Sequence, residues 1–136
     1  MDIYFVRHGE TEYNRRRKHQ PADTPLNELG RRQASKVAEV VRDLHPTHLL
    51  ASPMKRTQET AEAIARTTNL SVENIDSVQE LNRPPSLHGS GHYSLKSFLF
   101  LRHWFFDLKD DHWNQVGGES RLRLIERVVE TKDILE

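Results

Sequence analysis

The pattern of apolar residues predicts three strands, the first of them buried. Residues Ile3 to Val6 are four successive apolar or aromatic side chains, and such a run is typical of a strand covered on both faces. We therefore predict a first strand over residues 1–6. Residues 47–51 predict a second strand, and residues 70–75 predict a short third strand.

Three other stretches have the period of an amphipathic helix. Asn27 predicts the N-cap of a helix that continues to about Leu44. Ser52, followed by Pro53, predicts the cap of a second helix that ends near residue 69, and Ser120 predicts the cap of a last one. The predicted apolar faces are Ala34, Val37, Ala38 and Val41 in the first helix, Ala61, Ile64 and Ala65 in the second, and Leu122, Ile125, Val128 and Val129 in the third.

The order of these elements predicts the fold class. Strands that alternate with helices build an α/β fold whose sheet is at least partly parallel. Such sheets bind ligands at the carboxyl ends of their strands. We therefore expect the segment after the first strand and residues 52–56 after the second strand to face one pocket.

Residues 84–116 depart from this layered pattern. Seven of the ten aromatic residues lie between Tyr93 and Trp113. Phe98, Leu101 and Phe105 share one predicted helical face, and Phe100 and Trp104 share another. We predict a helical, aromatic-rich insert over about 84–116. It either packs its aromatic side chains against the sheet edge or forms a lid that shapes the pocket.

Two arginines and one histidine are the candidate groups for phosphoryl chemistry. In Arg7-His8-Gly9 the histidine can attack phosphorus, and the arginine can hold phosphate oxygens through two parallel hydrogen bonds. The reacting nitrogen must be neutral, so the other ring nitrogen of His8 should donate to a backbone carbonyl or a similar acceptor. Arg56 lies in the first turn of a predicted helix, where a cation is unfavourable unless an anion lies nearby. This favours a second phosphate clamp over a solvated charge.

Five motifs follow one another along the chain. They are Arg7-His8-Gly9-Glu10-Thr11, residues 23–30 with Gln33-Ala34, residues 52–61, Glu80-Leu81 and Gly117-Gly118-Glu119-Ser120. Their order resembles that of the histidine phosphatase superfamily, the phosphoglycerate mutase-like proteins. One Arg-His-Gly string recurs by chance, whereas five landmarks in the family's order are specific. The resemblance implies one domain over residues 1–136, with a three-layer α/β fold and a largely parallel sheet flanked by helices.

The resemblance also implies roles for single residues. His8 is the expected nucleophile, and Arg7 and Arg56 are the expected phosphate ligands. Asn14 is a candidate neutral donor to a phosphate oxygen, with a plain turn residue as the equal alternative.

Glu80 is the expected general acid, which protonates the leaving oxygen and then activates water. That role calls for a buried carboxyl group. Glu73 and Asp76 lie close enough in sequence to be alternative general acids. The alternative interpretation of Glu80 itself is a glutamate in a surface loop. Glu10 is expected to be structural.

Composition and charge narrow the function classes. The 136 residues contain 20 Lys and Arg against 20 Asp and Glu, so no overall field attracts nucleic acid. The absence of cysteine excludes disulfides and thiolate metal sites, and the histidines lack metal-ligand spacing. We expect neither a metal nor a cofactor. No apolar run has membrane-spanning length and no signal peptide precedes the first strand, so we expect a cytoplasmic protein without a membrane partner.

The family's second histidine, in a late His-Gly turn, has no counterpart after residue 120. We therefore expect an incomplete C-terminal part and a weaker catalyst, unless His88 or His92 replaces that histidine. The first hypothesis is a metal-independent phosphomonoester hydrolase with a phosphohistidine intermediate. The alternatives are an impaired phospholigand-binding protein and a phosphoglycerate mutase-type phosphotransferase. The expected partners are a phosphorylated small molecule or phosphoprotein, and a second copy that pairs through the sheet edge beside Ile3–Val6.

Overall fold

The computed structural model describes residues 2–106 and 116–135. Packing divides the chain into two compact units, the first with residues 1–12 and 22–75 and the second with residues 13–21 and 76–136. The elements in chain order are α1 (Glu12–Arg15), α2 (Glu28–Asp43), β1 (Leu49–Ala51), α3 (Lys55–Thr68), β2 (Val72–Asn74), α4 (Leu95–Phe106) and α5 (Arg121–Leu135), with 3₁₀ turns at Asp76–Val78 and Pro85–Leu87. The family-type domain over the whole chain stays a prediction.

The first unit contains a small parallel sheet. β1 pairs with β2 in register Leu49 to Val72 and Ala51 to Asn74, and α3 forms the crossover between them. Parallel neighbours need such a crossover because a tight turn cannot join them. The α/β class is therefore confirmed. Both strands are shorter than predicted, since they cover Leu49–Ala51 of residues 47–51 and Val72–Asn74 of residues 70–75.

The strand predicted for residues 1–6 is wrong for residues 2–6. A strand exists only with a hydrogen-bonded neighbour, and within the described residues the sheet consists of β1 and β2 alone. The side chains of the run are instead exposed, from 42% for Val6 to 88% for Phe5. Apolar composition alone therefore did not produce a buried strand.

α2 begins and packs as predicted. The side chain of Asn27 accepts a hydrogen bond of 2.8 Å from the amide of Gly30, which satisfies one of the free donors at the helix start. The predicted apolar face is covered by α3. The core cluster of this unit is formed by Leu26, Ala34, Ala38, Val41, Ala63 and Ile64, with Val37 and Leu49 packed against it.

α3 begins two residues later than predicted, so the assignment of Ser52 as its cap is wrong. Met54 is the N-cap, and its carbonyl accepts from the amides of Thr57 and Gln58. The amide of Lys55 donates instead to the carbonyl of Ala22. The predicted end is confirmed, since Asn69 is the C-cap in the left-handed region.

In the second unit α4 forms the described part of the insert predicted for 84–116. Phe100 is buried, whereas Phe98 and Phe105 on the other predicted face are 63% and 56% exposed. A helix is thus present over Leu95–Phe106 of this range, and packing covers only one of the two aromatic faces. Residues 107–115 of the insert lie outside the described part of the chain.

His19 ties the loop after α1 to the start of α4. The Ser97 hydroxyl donates its single proton to the Gly91 carbonyl at 2.7 Å, so the hydrogen on His19 Nε2 must donate to Ser97 Oγ at 2.8 Å. The backbone of His19 also bonds to residues 89–90. Burial, with a smaller contribution from the charge of Arg83, lowers the pKa of His19 to about 4.

Two glycines allow the His8 segment to pack on α2. A Cβ on Gly9 would overlap the carbonyl of Gly30, and a Cβ on Gly30 would overlap the backbone of Glu10. The Glu10 carboxylate accepts from Asn27 Nδ2 at 2.8 Å, and the Glu10 amide donates to Gln33 Oε1 at 2.8 Å. The structural role expected for Glu10 is therefore confirmed.

We predict that Gly30→Ala destabilises the fold. Alanine is the better helix former by about 1 kcal/mol, so an open site would gain stability. Here the added Cβ must displace the Glu10 backbone, and we expect the free energy of unfolding to fall by about 1–3 kcal/mol. Urea unfolding measures this. Gly91→Ala is the control, because no atom lies within 4 Å of its added Cβ. Equal effects at both positions would contradict the prediction.

We also predict that His19 makes the second unit less stable in acid. Its pKa is about 4 in the folded chain and near the ordinary 6.5 when unfolded, so between these pH values the unfolded chain binds the extra proton. The free energy of unfolding should therefore fall as the pH decreases from 6.5 to 4. Urea titrations across this range should show a shallower slope for His19→Gln than for the wild-type chain. An unchanged slope in His19→Gln would refute the assignment.

Candidate functional site

A backbone carbonyl fixes the tautomer of His8. The imidazole is half-buried, and its Nδ1 lies 2.7 Å from the carbonyl oxygen of Gly9. A carbonyl only accepts, so Nδ1 carries the hydrogen, and in the neutral ring Nε2 keeps the lone pair that an attack on phosphorus needs. The hydrogen bond that the sequence predicted is thus confirmed. The nucleophilic role itself stays a prediction.

Thr60 connects the His8 segment to α3. The amide of Gly9 donates to Thr60 Oγ1 at 3.2 Å, and the same hydroxyl donates to the carbonyl of Arg56 at 2.8 Å. All three residues are buried. One hydroxyl group therefore joins the backbone beside His8 to the turn that carries Arg56, and these two predicted site residues belong to one hydrogen-bonded assembly.

Arg56 is a buried cation rather than a surface charge. Only 2% of the residue is exposed, and its Nη2 donates to the sulfur of Met54 at 2.8 Å. A guanidinium keeps its charge when buried, and the N-terminal turn of a helix adds further positive potential. The solvated-charge alternative is therefore wrong. The position is chemically suited to hold an anion.

Arg7 differs from Arg56 in its surroundings. It is exposed, in the segment just before His8, and Lys55 in the first turn of α3 is exposed as well. Burial therefore does not fix the Arg7 guanidinium, and its role as a phosphate ligand stays a prediction.

Glu80 lies in the second unit, after the turn at Asp76–Val78. Its side chain is 46% exposed and accepts a hydrogen bond of 2.9 Å from Arg83 Nη1. The burial expected of a general acid is therefore wrong for this structure. The carboxyl group instead borders an open polar groove with a volume of about 950 Å³.

The two alternative carboxylates occupy different places. Glu73 lies on β2 in the first unit, where it is exposed and its Oε1 is 3.4 Å from Nδ1 of His48. Asp76 begins the 3₁₀ turn and lines the same groove as Glu80. Of the three carboxylates, Glu80 and Asp76 are thus the two that share a concave surface.

Asn14 belongs to the single turn of α1 in the second unit. Its carbonyl accepts from the amide of Arg17, which has a left-handed backbone with φ of 52°. Asn14 therefore lies in a turn, which was one of the two predictions for this residue. The role of its side chain as a phosphate donor stays a prediction.

Sequence reasoning missed an ion pair beside Glu80. Glu119 and Arg127 are joined by two short hydrogen bonds, and the bonding to Glu119 raises the pKa of Arg127 above its ordinary value. Glu119 was recognised only as part of a Gly-Gly-Glu-Ser motif. Glu119 precedes the first residue of α5, and eight residues along a helix span about 12 Å, so their spacing in the sequence gave no signal for this contact.

Thr60 and Gly30 were also missed, although both lie in recognised motifs. Thr60 follows Arg56 by four residues, and that spacing places both on one helix face. Gly30 is a glycine inside a helix, and a glycine there is costly unless a close approach requires it. Both signals are readable from the sequence.

The described residues hold neither a candidate metal cluster nor a helix that could span a membrane. Within residues 2–106 and 116–135, no three His, Asp or Glu side chains converge as a metal site would need. The described helices are all too short or too polar to cross a bilayer. Whether any activity is independent of metal stays a prediction.

Known proteins resemble the chain in sequence. It is 43% identical over 83 residues to the Yersinia pestis (strain Pestoides F) protein named "Probable phosphoglycerate mutase GpmB", which covers 60% of this chain and 39% of the relative. A Yersinia pseudotuberculosis protein of the same name matches equally well. The chain therefore spans well under half the length of these curated relatives.

Solved structures share its fold over nearly the whole chain. A mycobacterial glucosyl-3-phosphoglycerate phosphatase in complex with VO3 has a TM-score of 0.72 and 29% identity, over 95% of this chain and 63% of that one. A structure described as mycobacterial hydrolase 1 has a TM-score of 0.73 and 30% identity, over 94% and 61%. The characteristic sequence of the histidine phosphatase superfamily (branch 1) matches residues 3–136. The chain, with its Arg-His-Gly motif and buried Arg56, belongs to the histidine phosphatase superfamily.

Proposed function

We propose that the chain provides the phosphoryl-transfer site of a phosphomonoester hydrolase that works through a phosphohistidine on His8. The observation that carries the proposal is the Gly9 carbonyl on His8 Nδ1, which leaves Nε2 as the nucleophilic atom. The buried charge of Arg56, tied to the same segment through Thr60, supports a dianionic ligand beside it.

In the first step Nε2 of His8 attacks phosphorus, and the bond from phosphorus to the ester oxygen breaks. Glu80 gives its proton to the departing alcohol. Arg7 and Arg56 stabilise the charge on the equatorial oxygens, and Asn14 is a further donor.

In the second step water attacks the phosphohistidine, and the bond from phosphorus to Nε2 breaks. Glu80 takes a proton from the water, so the acid and the imidazole are both restored. Inorganic phosphate leaves. No metal takes part in either step.

Likeness to a phosphatase supports hydrolysis over simple binding. The mycobacterial relative acts, by its name, on glucosyl-3-phosphoglycerate, and it was solved with VO3, an oxyanion of the kind that a phosphate site accepts. We propose a phosphorylated small molecule as the substrate class.

We predict that His8→Ala abolishes hydrolysis of a generic aryl phosphate. Removal of the nucleophile should lower kcat by at least about 10,000-fold, because no other group forms the covalent intermediate. Rapid quenching of the wild-type chain with labelled substrate should trap the label on His8. Turnover that survives in His8→Ala would exclude this mechanism.

Two controls sharpen that experiment. His48→Ala removes an exposed imidazole of the same unit and should keep wild-type turnover. A chelator titration should also leave the rate unchanged. Phosphate binding without turnover in the wild-type chain would favour the impaired phospholigand-binding alternative.

A phosphoglycerate mutase-type transferase is the second candidate, because the 43% identical relatives bear that name. The two candidates differ in what accepts the phosphoryl group from His8, water or a second hydroxyl. We predict that 3-phosphoglycerate gives free phosphate and glycerate rather than 2-phosphoglycerate. Phosphorus NMR distinguishes these products, and a dominant 2-phosphoglycerate signal would decide for the transferase.

A further inference from the structure

We infer that Arg127 and Glu119 are positioning residues for Glu80. The inference rests on the proposed function, because it takes Glu80 as the general acid. The two side chains hold the backbone on both sides of Glu80 and leave its carboxyl group accessible to the groove.

Arg127 binds the chain just before Glu80. Its Nη1 donates to the carbonyl of Ser77 at 2.7 Å and to the carbonyl of Gln79 at 2.9 Å. Its Nε and Nη2 donate to the two carboxylate oxygens of Glu119, at 2.6 and 2.7 Å. One guanidinium group therefore connects the backbone at Ser77 and Gln79 to the carboxylate of Glu119, and its planar shape fixes the geometry of these bonds.

Glu119 binds the chain just after Glu80. Its Oε2 accepts from the amide of Asn82 at 3.2 Å, and Asn82 Nδ2 donates to the carbonyl of Gly117 at 3.3 Å. The backbone is thus held at residue 79 and again at residue 82. Glu80 and Leu81 lie between these two fixed points, so their backbone has little room to move.

Burial distinguishes this pair from an ordinary surface ion pair. The Arg127 and Glu119 side chains are 21% and 9% exposed. The neighbouring pair Arg123 and Glu126 on α5 is 3.5 Å apart with side chains 69% and 66% exposed. Solvated pairs contribute little, whereas removing one partner of a buried pair leaves an uncompensated charge.

Only arginine fits the bonding that is present. Four hydrogen bonds leave from three nitrogen atoms in one plane, and a lysine ammonium is a single point with three donors. Glu80 itself bonds through its carboxylate to Arg83, not to Arg127. The pair therefore acts on the location of Glu80 through the backbone.

The test compares two substrates in the full 136-residue chain. Loss of a general acid slows release of a basic leaving group most, so phenyl phosphate should be far more sensitive than p-nitrophenyl phosphate. Arg127→Met should lower kcat for phenyl phosphate by about 100-fold, with a much smaller change for p-nitrophenyl phosphate. The kcat of Arg127→Lys for phenyl phosphate should lie between the values for the wild-type chain and for Arg127→Met. The control is Arg32→Met, an exposed arginine that pairs with Glu28 on α2, with both rates unchanged.

A double variant separates positioning from general stability. In the Glu80→Gln background, Arg127→Met should cause no further loss with phenyl phosphate, because the group it positions is already absent. Equal losses for both substrates, or a full additional loss in the double variant, would overturn the inference.

Hydrogen exchange distinguishes failure of the inference from failure of the proposed function. If Glu80→Gln slows both substrates equally, the acid role of Glu80 is wrong. The clamp is then judged by the amides of residues 78–82, which should exchange at least about tenfold faster in Arg127→Met and not in Arg123→Met. Unchanged exchange in Arg127→Met would overturn the inference whatever the kinetics show.

Discussion

The backbones of Gly9 and Glu10 meet the backbone of Gly30 so closely that neither glycine has room for a Cβ. This contact fixes where the chain leaves the exposed run at Ile3–Val6 and enters the first unit. The Nδ1 bond of His8 and the bond from Gly9 to Thr60 both depend on that course of the backbone. The candidate nucleophile is therefore placed by helix packing, not by a strand.

In each of the two units, a side chain holds the backbone of a segment that carries a candidate catalytic residue. In the first unit, the Thr60 hydroxyl joins the amide of Gly9 to the carbonyl of Arg56. In the second, Arg127 and Glu119 bind carbonyls and an amide around Glu80. In both, a side chain on or just before a helix satisfies backbone groups of an irregular segment, and buried polar groups need such partners.

Local signals in the sequence were sufficient for much of the fold. The helix that starts after Asn27, its apolar face and the parallel pairing of β1 and β2 all follow from short-range patterns. So does the cap of α5, where the amide of Arg123 donates to Ser120 Oγ at 3.3 Å. The apolar face predicted for α5 is wrong, since its side chains are exposed, from 49% for Ile125 to 59% for Val128. The cap predicted at Ser52 failed because a distant carbonyl, that of Ala22, binds the Lys55 amide. The strand at residues 1–6 failed because strand formation depends on a partner that the run itself does not specify.

Some features of the candidate site could likewise be predicted from the sequence, and others could not. The tautomer of His8 was predictable because the chemistry of a nucleophilic imidazole demands one protonated nitrogen. The exposure of Glu80 was not, since burial depends on contacts far along the chain. Arg127 was invisible as a functional residue for a related reason: nothing in Leu124-Ile125-Glu126-Arg127 marks an arginine whose partners include residues 77 and 79.

The bond between Gly9 and Thr60 also bears on the order of folding. Its partners are 51 residues apart, so forming this bond closes a long loop, which costs chain entropy. The local turns of α2 and α3 form without that cost. Helical turns form within microseconds, whereas contacts of long sequence separation form late. We expect the segment of His8 to dock after α2 and α3 have packed against each other. The candidate nucleophile would then acquire its orientation only when the rest of the first unit has formed.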